Sequence, residues 1–565
     1  MKFFQWMKEG VKNQELLYYW FLFIVLLPSL VLSWTEPMSI WVKMASVFLP
    51  MGVYMILFNL FRKPGVFLLL CFVLLLINGY QLVLIYLFGE SVVSPDMFLN
   101  IVTTDAGESG ELMRTIWPAV LTACVLYFSA VALGVISVMN KRKLATEFVM
   151  TTCRWALVPI LLGSLLLGIN ASRGFSFRLN HDIYPINAFY NLDFAVRKYY
   201  KTQNHRNTSS DFTFQAHKKK SSAKREVVVL VIGETTRAAN WQLWGYERAT
   251  NPFLSKRKDL ALYKDVLTQG NTTHKIVPMI LSRACAEDFE QIYHQKSIVA
   301  AFKEAGFQTL FLSNQIPDRA FIDDFASEAD VNIRISDIEK GPHHPYDNDG
   351  ISFIRKYVEA SEKPLFIVYH TYGTHFEYSQ RFDPKYAVFK PFKAGALRYK
   401  ERPVFLNAYD NAVCNVDRML NELIQTLDRE ELCSSMLYLS DHGEDLMDDK
   451  RKLFLHCSPI PTYYQIHIPL VVWLSSSFKE TYPQCASNIV ANQSKPVSSN
   501  AVFHTMLDLG AISTPFQDST LSLGSSSFKV RERFFIDEHD EAVSFPNLGL
   551  KKQDWDMMHK MNIRF

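Results

Sequence analysis

Cysteine is scarce in this chain, eight in 565 residues, and three of them, Cys71, Cys124 and Cys153, stand in or beside apolar runs. The other five, Cys285, Cys414, Cys433, Cys457 and Cys485, are an odd number and cannot all pair. At most two disulfides can form among them, and neither number nor spacing fixes a pairing. An excess of either charge is also missing: the formal net charge is +3. That is too small to imply a nucleic-acid partner, and no zinc-finger, RRM or basic-helix pattern occurs. No internal repeat is found, and no convincing small-residue cleavage site follows the first apolar run. A second apolar run begins at once, so the first reads as a retained signal anchor.

What is present divides the chain in two. The mean hydropathy near zero averages an apolar beginning of about 170 residues with a remainder of ordinary soluble composition. A spanning helix needs about 20 apolar residues. Five stretches meet or approach that length: 16–34, 41–61, 66–88, 116–138 and a short fifth at 155–169. Lys2, Lys8 and Lys12, then Arg62 and Lys63, then Lys141, Arg142 and Lys143 flank alternate ends, which places those segments in the cytoplasm. Glu90, Asp96, Asp105, Glu108 and Glu111 lie between spans three and four, as suits the opposite side. Five spans that start inside end outside, so the expectation is a multi-pass membrane protein with a cytoplasmic N-terminus and a C-terminal domain in the periplasm, or outside the cell if there is one membrane.

The expected organisation is a transmembrane domain over 1–170, an interfacial helix and linker over 171–225, and a domain of water-soluble composition over 226–565. Residues 171–200 mix aromatics with Arg173, Arg178, Arg197 and Lys198, which fits either a helix at headgroup depth or a packed connecting helix. Residues 201–225 read as a hydrated linker. Beyond it, the run Val227–Gly233 is too uniformly apolar for a half-exposed strand and fits one buried on both faces. Similar runs occur at Thr309–Ser313, Leu365–His370, Ser435–Ser440 and Pro469–Leu474, with helical segments such as Ser297–Ala305 and Asn407–Asp428 between them. The alternation predicts an α/β domain whose mostly parallel sheet is sandwiched by helices.

Ligands of such sheets bind beyond the carboxyl ends of the strands. There the chain places Gly-Glu-Thr-Thr-Arg (233–237), His-Thr-Tyr-Gly-Thr-His (370–375) and Asp-His-Gly-Glu (441–444). Carboxylate and imidazole together suit Zn²⁺, which makes Glu234, Asp441 and His442 candidate ligands of one ion. His375 and His456 are candidates for a second metal or for binding phosphoryl oxygens. His343 and His344, in Gly-Pro-His-His-Pro, read as an exposed turn.

These motifs, with Gly-Tyr-Glu-Arg-Ala-Thr-Asn-Pro (245–252), Gly-Thr-His (373–375), Tyr-Asp-Asn (409–411) and Ser-Asp-His-Gly-Glu (440–444), resemble those of the membrane-bound phosphoethanolamine transferases that modify lipopolysaccharide. That group includes the colistin-resistance enzymes and belongs to the alkaline phosphatase and sulfatase superfamily. The resemblance covers nearly the whole chain. It implies an alkaline phosphatase-like domain, a threonine nucleophile in Gly-Asn-Thr-Thr-His-Lys-Ile-Val-Pro (270–278), and transfer of phosphoethanolamine from phosphatidylethanolamine to lipid A or another envelope acceptor. Counting back from Val-Pro selects Thr273, with Thr272 as its rival. The resemblance further implies that Glu234, Thr273, Asp441 and His442 surround the principal zinc, that His375 and His456 face the phosphoryl group or an auxiliary zinc, and that a monomer acts at the bilayer. It also implies that Asn100, Thr104 and Glu108, four residues apart and so on one face if helical, bind the headgroup, with Gln315 as a further contact. The cysteine pair that flanks the nucleophile in some relatives is replaced here by Gln269 and Met279. A glycerol-phosphate transferase of the lipoteichoic-acid-synthase type and a catalytically silent membrane sensor share the architecture and stand as alternatives. The Cys/Ser-x-Pro-x-Arg pattern of sulfatases is not met at Thr273 or Cys285.

Overall fold

The computed structural model describes residues 13–89, 91–103, 106–318, 320–338, 344–395 and 397–564. The chain divides into two compact units: Met1–Leu99 with Met113–Val196, and Asn100–Leu112 with Arg197–Phe565.

In the first unit the apolar runs form α1 (Gln14–Thr35), α2 (Ile40–Asn59), α3 (Pro64–Leu70), α4 (Phe72–Phe88), the part of α5 (Pro95–Thr103) before Asn100, the part of α6 (Ala106–Met139) from Met113 on, and α7 (Thr146–Ser172). Among the described residues, four helices are long and apolar enough to cross a membrane, or five if α3 and α4, bent by 69°, count as one span. The fifth expected span is longer than its apolar run: α7 extends through Thr151, Thr152 and Arg154, because flanking polar residues continue a helix that hydropathy alone cuts short. Hydrogen bonds tie the bundle where apolar surface cannot discriminate among partners. Gln14 Nε2 donates to Ser137 O at 2.9 Å, Asn59 Nδ2 to Thr152 Oγ1 at 2.9 Å, and Tyr184 OH to Asn78 Oδ1 at 2.6 Å. Gly52 lets α2 approach α7, since a β-carbon there would lie 2.7 Å from the Ala156 carbonyl oxygen. Outward-facing Val125, Phe128, Trp155 and Leu161 are each more than 60 % exposed, the surface expected of a bundle solvated by lipid.

The second unit is built on a seven-stranded sheet: β1 (Arg225–Gly233), β2 (Leu260–Tyr263), β3 (Gln308–Ser313), β4 (Val331–Arg334), β5 (Leu365–His370), β6 (Leu432–Ser440) and β7 (Leu470–Leu474). Its order is β2-β7-β6-β1-β5-β3-β4. Pairing is parallel from β6 through β4, while β7 runs antiparallel to both β6 and β2, so the sheet is mixed. Alternation along β1 explains its unbroken apolar run. Val228, Leu230 and Ile232 enter one core with Phe302, Phe366 and Met279, whereas Val227, Val229 and Val231 enter the other with Tyr409, Leu420 and Met436. Each fully buried side chain of this size contributes about 1.5–3 kcal/mol. Two cores therefore hold one central strand from both faces.

The segment read as a hydrated linker is partly docked. Phe214 is buried, the Glu304 carboxylate accepts from Phe214 N and Ala216 N at 3.0 Å each, and His217–Lys218 pairs with Ile512–Ser513. Its lysines hid a short apolar anchor. All eight cysteines are free, so neither of the two optional disulfides forms.

Candidate active site

Three parallel strands end side by side, and the turns beyond them carry the acids and imidazoles. β1 delivers Glu234, β6 delivers Asp441 and His442, and β5 ends in His370 with His375 five residues on. The turn after β1 holds Thr235 at φ +52°, a conformation costly for a β-branched residue. Thr235 N donates to Asp441 Oδ1 at 3.1 Å, which locks the first turn to the second.

Glu234, Asp441 and His442 are buried, and one potential ligand atom from each lies within 4.8 Å of the others. Asp441 uses Oδ1 to accept from Thr235 N and from His442 N (2.7 Å), whereas its buried Oδ2 has no hydrogen-bond partner and lies 3.3 Å from His442 Nε2. A fully buried carboxylate oxygen left without a donor is costly. With two carboxylates and a neutral imidazole converging on one point, the donor set fits a zinc ion.

The imidazole is prepared for that role. His442 Nδ1 lies 2.9 Å from Gly443 O. Because a carbonyl can only accept, Nδ1 carries the hydrogen and Nε2 presents its lone pair. Burial pushes the His442 pKa down to about 4, with Asp441 opposing. His375 follows the same pattern, its Nδ1 lying 2.5 Å from Phe376 O, and burial first, then the Arg381 charge, hold its pKa well below the ordinary histidine value.

Thr273 opens α9 (Thr273–Leu281), directly after a turn whose last residue, Thr272, is extended. Its hydroxyl donates to Glu234 Oε1 at 2.9 Å and lies 3.1 Å from His442 Nε2. The Thr272 hydroxyl is buried with no partner. Of the two threonines, Thr273 is therefore the one brought to the acids. The first-turn N–H groups of α9 favour negative charge at this point. Lys275, 2 % exposed, anchors the helix through Asp537 O at 2.7 Å and Asp540 Oδ1 at 3.0 Å.

A cavity of about 140 Å³ opens over this group and is lined by Glu234, Thr272, Thr273, His274, Gln315, His370, His375 and His456, with Asn100 and Cys457 at its wall. His456 stands 4.3 Å from His442 and 6.2 Å from His375 between ring centres. Gln315 donates to Glu234 Oε2 at 3.0 Å and to Thr371 O at 2.9 Å, so its amide supports a carboxylate rather than reaching freely into the cavity. Asn100, on α5, directs Nδ2 to within 3.9 Å of Cys457 Sγ. Of the expected headgroup residues Asn100, Thr104 and Glu108, Asn100 stands on α5 and Glu108 on α6. Thr104 and the side chain of Glu108 lie outside the described residues.

Several participants were not singled out from sequence. His370 is fully buried with both ring nitrogens unpartnered, and burial pushes its pKa to about 3. An imidazole closing an otherwise apolar strand was the available signal. Asp347 accepts from Asn314 Nδ2, Tyr372 N and Gly373 N, each at 2.8 Å, and so holds the turn that presents His375. His344 is not a bare turn residue: its Nε2 lies 2.7 Å from Asn314 O and its ring packs 4.5 Å from Tyr372, which in turn stacks on His375. His343 lies outside the described residues.

The family model described as Sulfatase matches residues 226–512. The phosphoethanolamine transferase EptA of Escherichia coli (strain K12) is 25 % identical over 460 residues, covering 78 % of this chain and 82 % of that protein. The integral membrane lipooligosaccharide phosphoethanolamine transferase A of Neisseria meningitidis superposes with a TM-score of 0.71 at 23 % identity, over 89 % of this chain and 98 % of that one. The periplasmic domain of EptC from Escherichia coli, solved in complex with Zn, gives a TM-score of 0.54 at 24 % identity, over 60 % of this chain and 97 % of that one. The two structural likenesses show a shared fold.

Proposed function

The chain belongs to the sulfatase family and is a phosphotransferase of its membrane phosphoethanolamine transferase branch, and from that premise we propose that Thr273 carries phosphoethanolamine from phosphatidylethanolamine to lipid A or a related lipopolysaccharide acceptor. The observation that supports this most is the Thr273 hydroxyl held 2.9 Å from Glu234 Oε1 and 3.1 Å from His442 Nε2 at a helix N-terminus. The name of the Neisseria relative, a lipooligosaccharide phosphoethanolamine transferase, supports the acceptor class, and the Zn complex of the EptC domain supports the choice of metal.

Glu234, Asp441, His442 and Thr273 would hold the zinc. When bound, it supplies positive charge that favours the threonine alkoxide and neutralises phosphoryl oxygens. In the first half-reaction Thr273 Oγ1 attacks phosphorus, the bond from phosphorus to the diacylglycerol oxygen breaks, and that oxygen leaves with a proton as diacylglycerol. In the second, an acceptor oxygen attacks the phosphoethanolaminyl-threonine, and Thr273 is released. Glu234 and His442 fix the direction of the Thr273 oxygen, and the α9 N-terminus favours charge developing beside it. His375 and His456 present neutral imidazoles to the same cavity, suited to phosphoryl oxygens or an auxiliary zinc.

The apolar helices support placement in the bacterial inner membrane, and the lysine and arginine pattern supports a cytoplasmic N-terminus with the α/β unit in the periplasm. Donor and acceptor are both amphiphiles, so anchoring keeps the site where they are concentrated. The added amine would lower the negative charge of the envelope and weaken its attraction for cationic peptides such as polymyxin.

The test is mass spectrometry of lipid A and core oligosaccharide from a Gram-negative host expressing wild type or Thr273→Ala. Wild type should add phosphoethanolamine and the variant should not. Equal addition by both would remove Thr273 from the mechanism; no addition by wild type would refute the proposed donor or acceptor.

A further inference from the structure

Glu444, the last residue of Asp-His-Gly-Glu, is fully buried, yet neither carboxylate oxygen has a hydrogen-bond partner among the described residues. Isolating a carboxylate in this way is among the costlier things a fold can do unless a partner stands close. Glu444 Oε1 lies 3.4 Å from His456 Nδ1. Tyr378, also fully buried, flanks the same carboxylate. The main chain here is pinned: Glu444 O accepts from Arg237 Nη1 at 3.0 Å, and Arg237 is itself paired with Asp448 at 2.6 Å. The carboxylate therefore has a fixed origin, and a small rotation of the carboxylate or the ring aligns this 3.4 Å pair as a hydrogen bond.

The other two imidazoles of the cluster supply the comparison. His375 and His442 each commit Nδ1–H to a backbone carbonyl, of Phe376 and Gly443 respectively, which leaves Nε2 free to present a lone pair. At His456, whose ring packs 4.3 Å from that of His442 and lines the cavity, Nδ1 has the Glu444 carboxylate beside it instead. We propose that Glu444 is the positioning residue for His456: it accepts the Nδ1–H, fixes the ring, and turns an unprotonated Nε2 toward the cavity. Three imidazoles then share one tautomer, two set by the backbone and one by a side chain. The consequence for transfer rests on the reading of His456 as a phosphoryl- or metal-facing group. The orientation itself does not.

Two measurements on the full-length, detergent-solubilised protein test this. In zinc-stripped protein without substrate, the rate at which diethyl pyrocarbonate acylates His456, mapped by peptide mass spectrometry, should fall several-fold in Glu444→Ala and stay near wild type in Glu444→Gln, whose amide oxygen can still accept from Nδ1–H. Glu444→Asp, which withdraws the carboxylate by one methylene, should behave like the alanine variant and keeps the comparison available if Glu444→Ala does not fold. In zinc-loaded enzyme, kcat/KM for phosphatidylethanolamine turnover should drop about 10–100-fold in Glu444→Ala, the usual cost of losing the group that orients such a histidine. It should drop no further in Glu444→Ala/His456→Ala than in His456→Ala alone. His456 acylation that ignores residue 444, or losses that multiply in the double variant, would overturn the proposal. Because the acylation measurement needs neither metal nor substrate, it decides the role of Glu444 even if phosphoethanolamine proves to be the wrong cargo.

Discussion

Gly373 passes so close to Glu234 that a β-carbon on it would lie 2.6 Å from the Glu234 carbonyl oxygen and 2.8 Å from its amide nitrogen. The turn that presents His375 is thus pressed against the residue that presents the first carboxylate, and only the smallest residue fits. Gly373 also has φ +51°. Two independent penalties meet at one position.

Gly373→Ala should therefore displace Glu234 and lower zinc content and turnover together, with activity down by about 10–100-fold. Gly245→Ala is the control: it has φ +97° but nothing within 4 Å of the added carbon, so it should cost only the backbone penalty of about 1–2 kcal/mol and leave metal content intact. Metal analysis of the two purified variants separates steric displacement from backbone strain. Equal zinc content in both would show that the contact does not position Glu234.

Much of this arrangement could be read before any coordinates, and the reason is burial on two faces. Val227–Gly233 and Leu365–His370 showed themselves because both faces of those strands enter cores, which forces continuous apolar runs. Leu260–Tyr263 and Val331–Arg334 did not, because each is four residues long and sits at an edge of the sheet, where partial exposure erases the signal. The direction of Leu470–Leu474 was illegible for a different reason: a strand buried among others has the same composition whether parallel or antiparallel. In the site, the candidate donors Glu234, Asp441 and His442 were legible as residue types at strand ends. Their supports, Asp347 behind His375 and Glu444 beside His456, act through contacts that have no spacing rule in sequence.

Removing zinc should destabilise the protein, because Glu234 and Asp441 are buried and Asp441 Oδ2 has no donor among the described residues. An ion bound only by the folded state adds about 2.7 kcal/mol at a hundred times its dissociation constant. The melting temperature of chelator-stripped protein should be lower than that of the native enzyme and should climb with added zinc. Asp441→Asn should flatten that climb. A melting temperature indifferent to zinc in the wild type would rule out a structural contribution from the ion.

The helix that carries Thr273 is tethered through Asp540, whose Oδ1 lies 3.0 Å from Lys275 Nζ and 2.6 Å from Lys198 Nζ. Both lysines are less than 10 % exposed. Breaking a buried pair from one side leaves an uncompensated charge and costs about 3–5 kcal/mol. Asp540→Asn should lower the melting temperature accordingly and reduce kcat more than it raises KM, because it loosens Thr273, the proposed nucleophile, rather than the cavity wall. Unchanged stability, measured by thermal unfolding in detergent, would show that Lys275 is held sufficiently by its other contacts, Asp537 O among them.

Asp417 supplies a pH signature remote from the metal site. It is fully buried on α12 (Arg402–Leu427) and accepts from Phe253 N at 2.8 Å and Leu254 N at 3.0 Å, yet burial outweighs those donors and raises its pKa from 3.8 to about 7. In the unfolded chain the same carboxyl ionises near its ordinary value of about 3.9. Between about pH 4 and 7 the native state therefore holds the proton that the unfolded state has lost, so this group's contribution to stability is full below that window, falls across it and is constant above it. Asp417→Asn removes the titration whatever constant offset its amide introduces. The melting temperature of the variant minus that of wild type should rise from pH 4 to 7 and level off beyond. A difference independent of pH would mean that the two backbone donors, and not burial, govern this carboxyl.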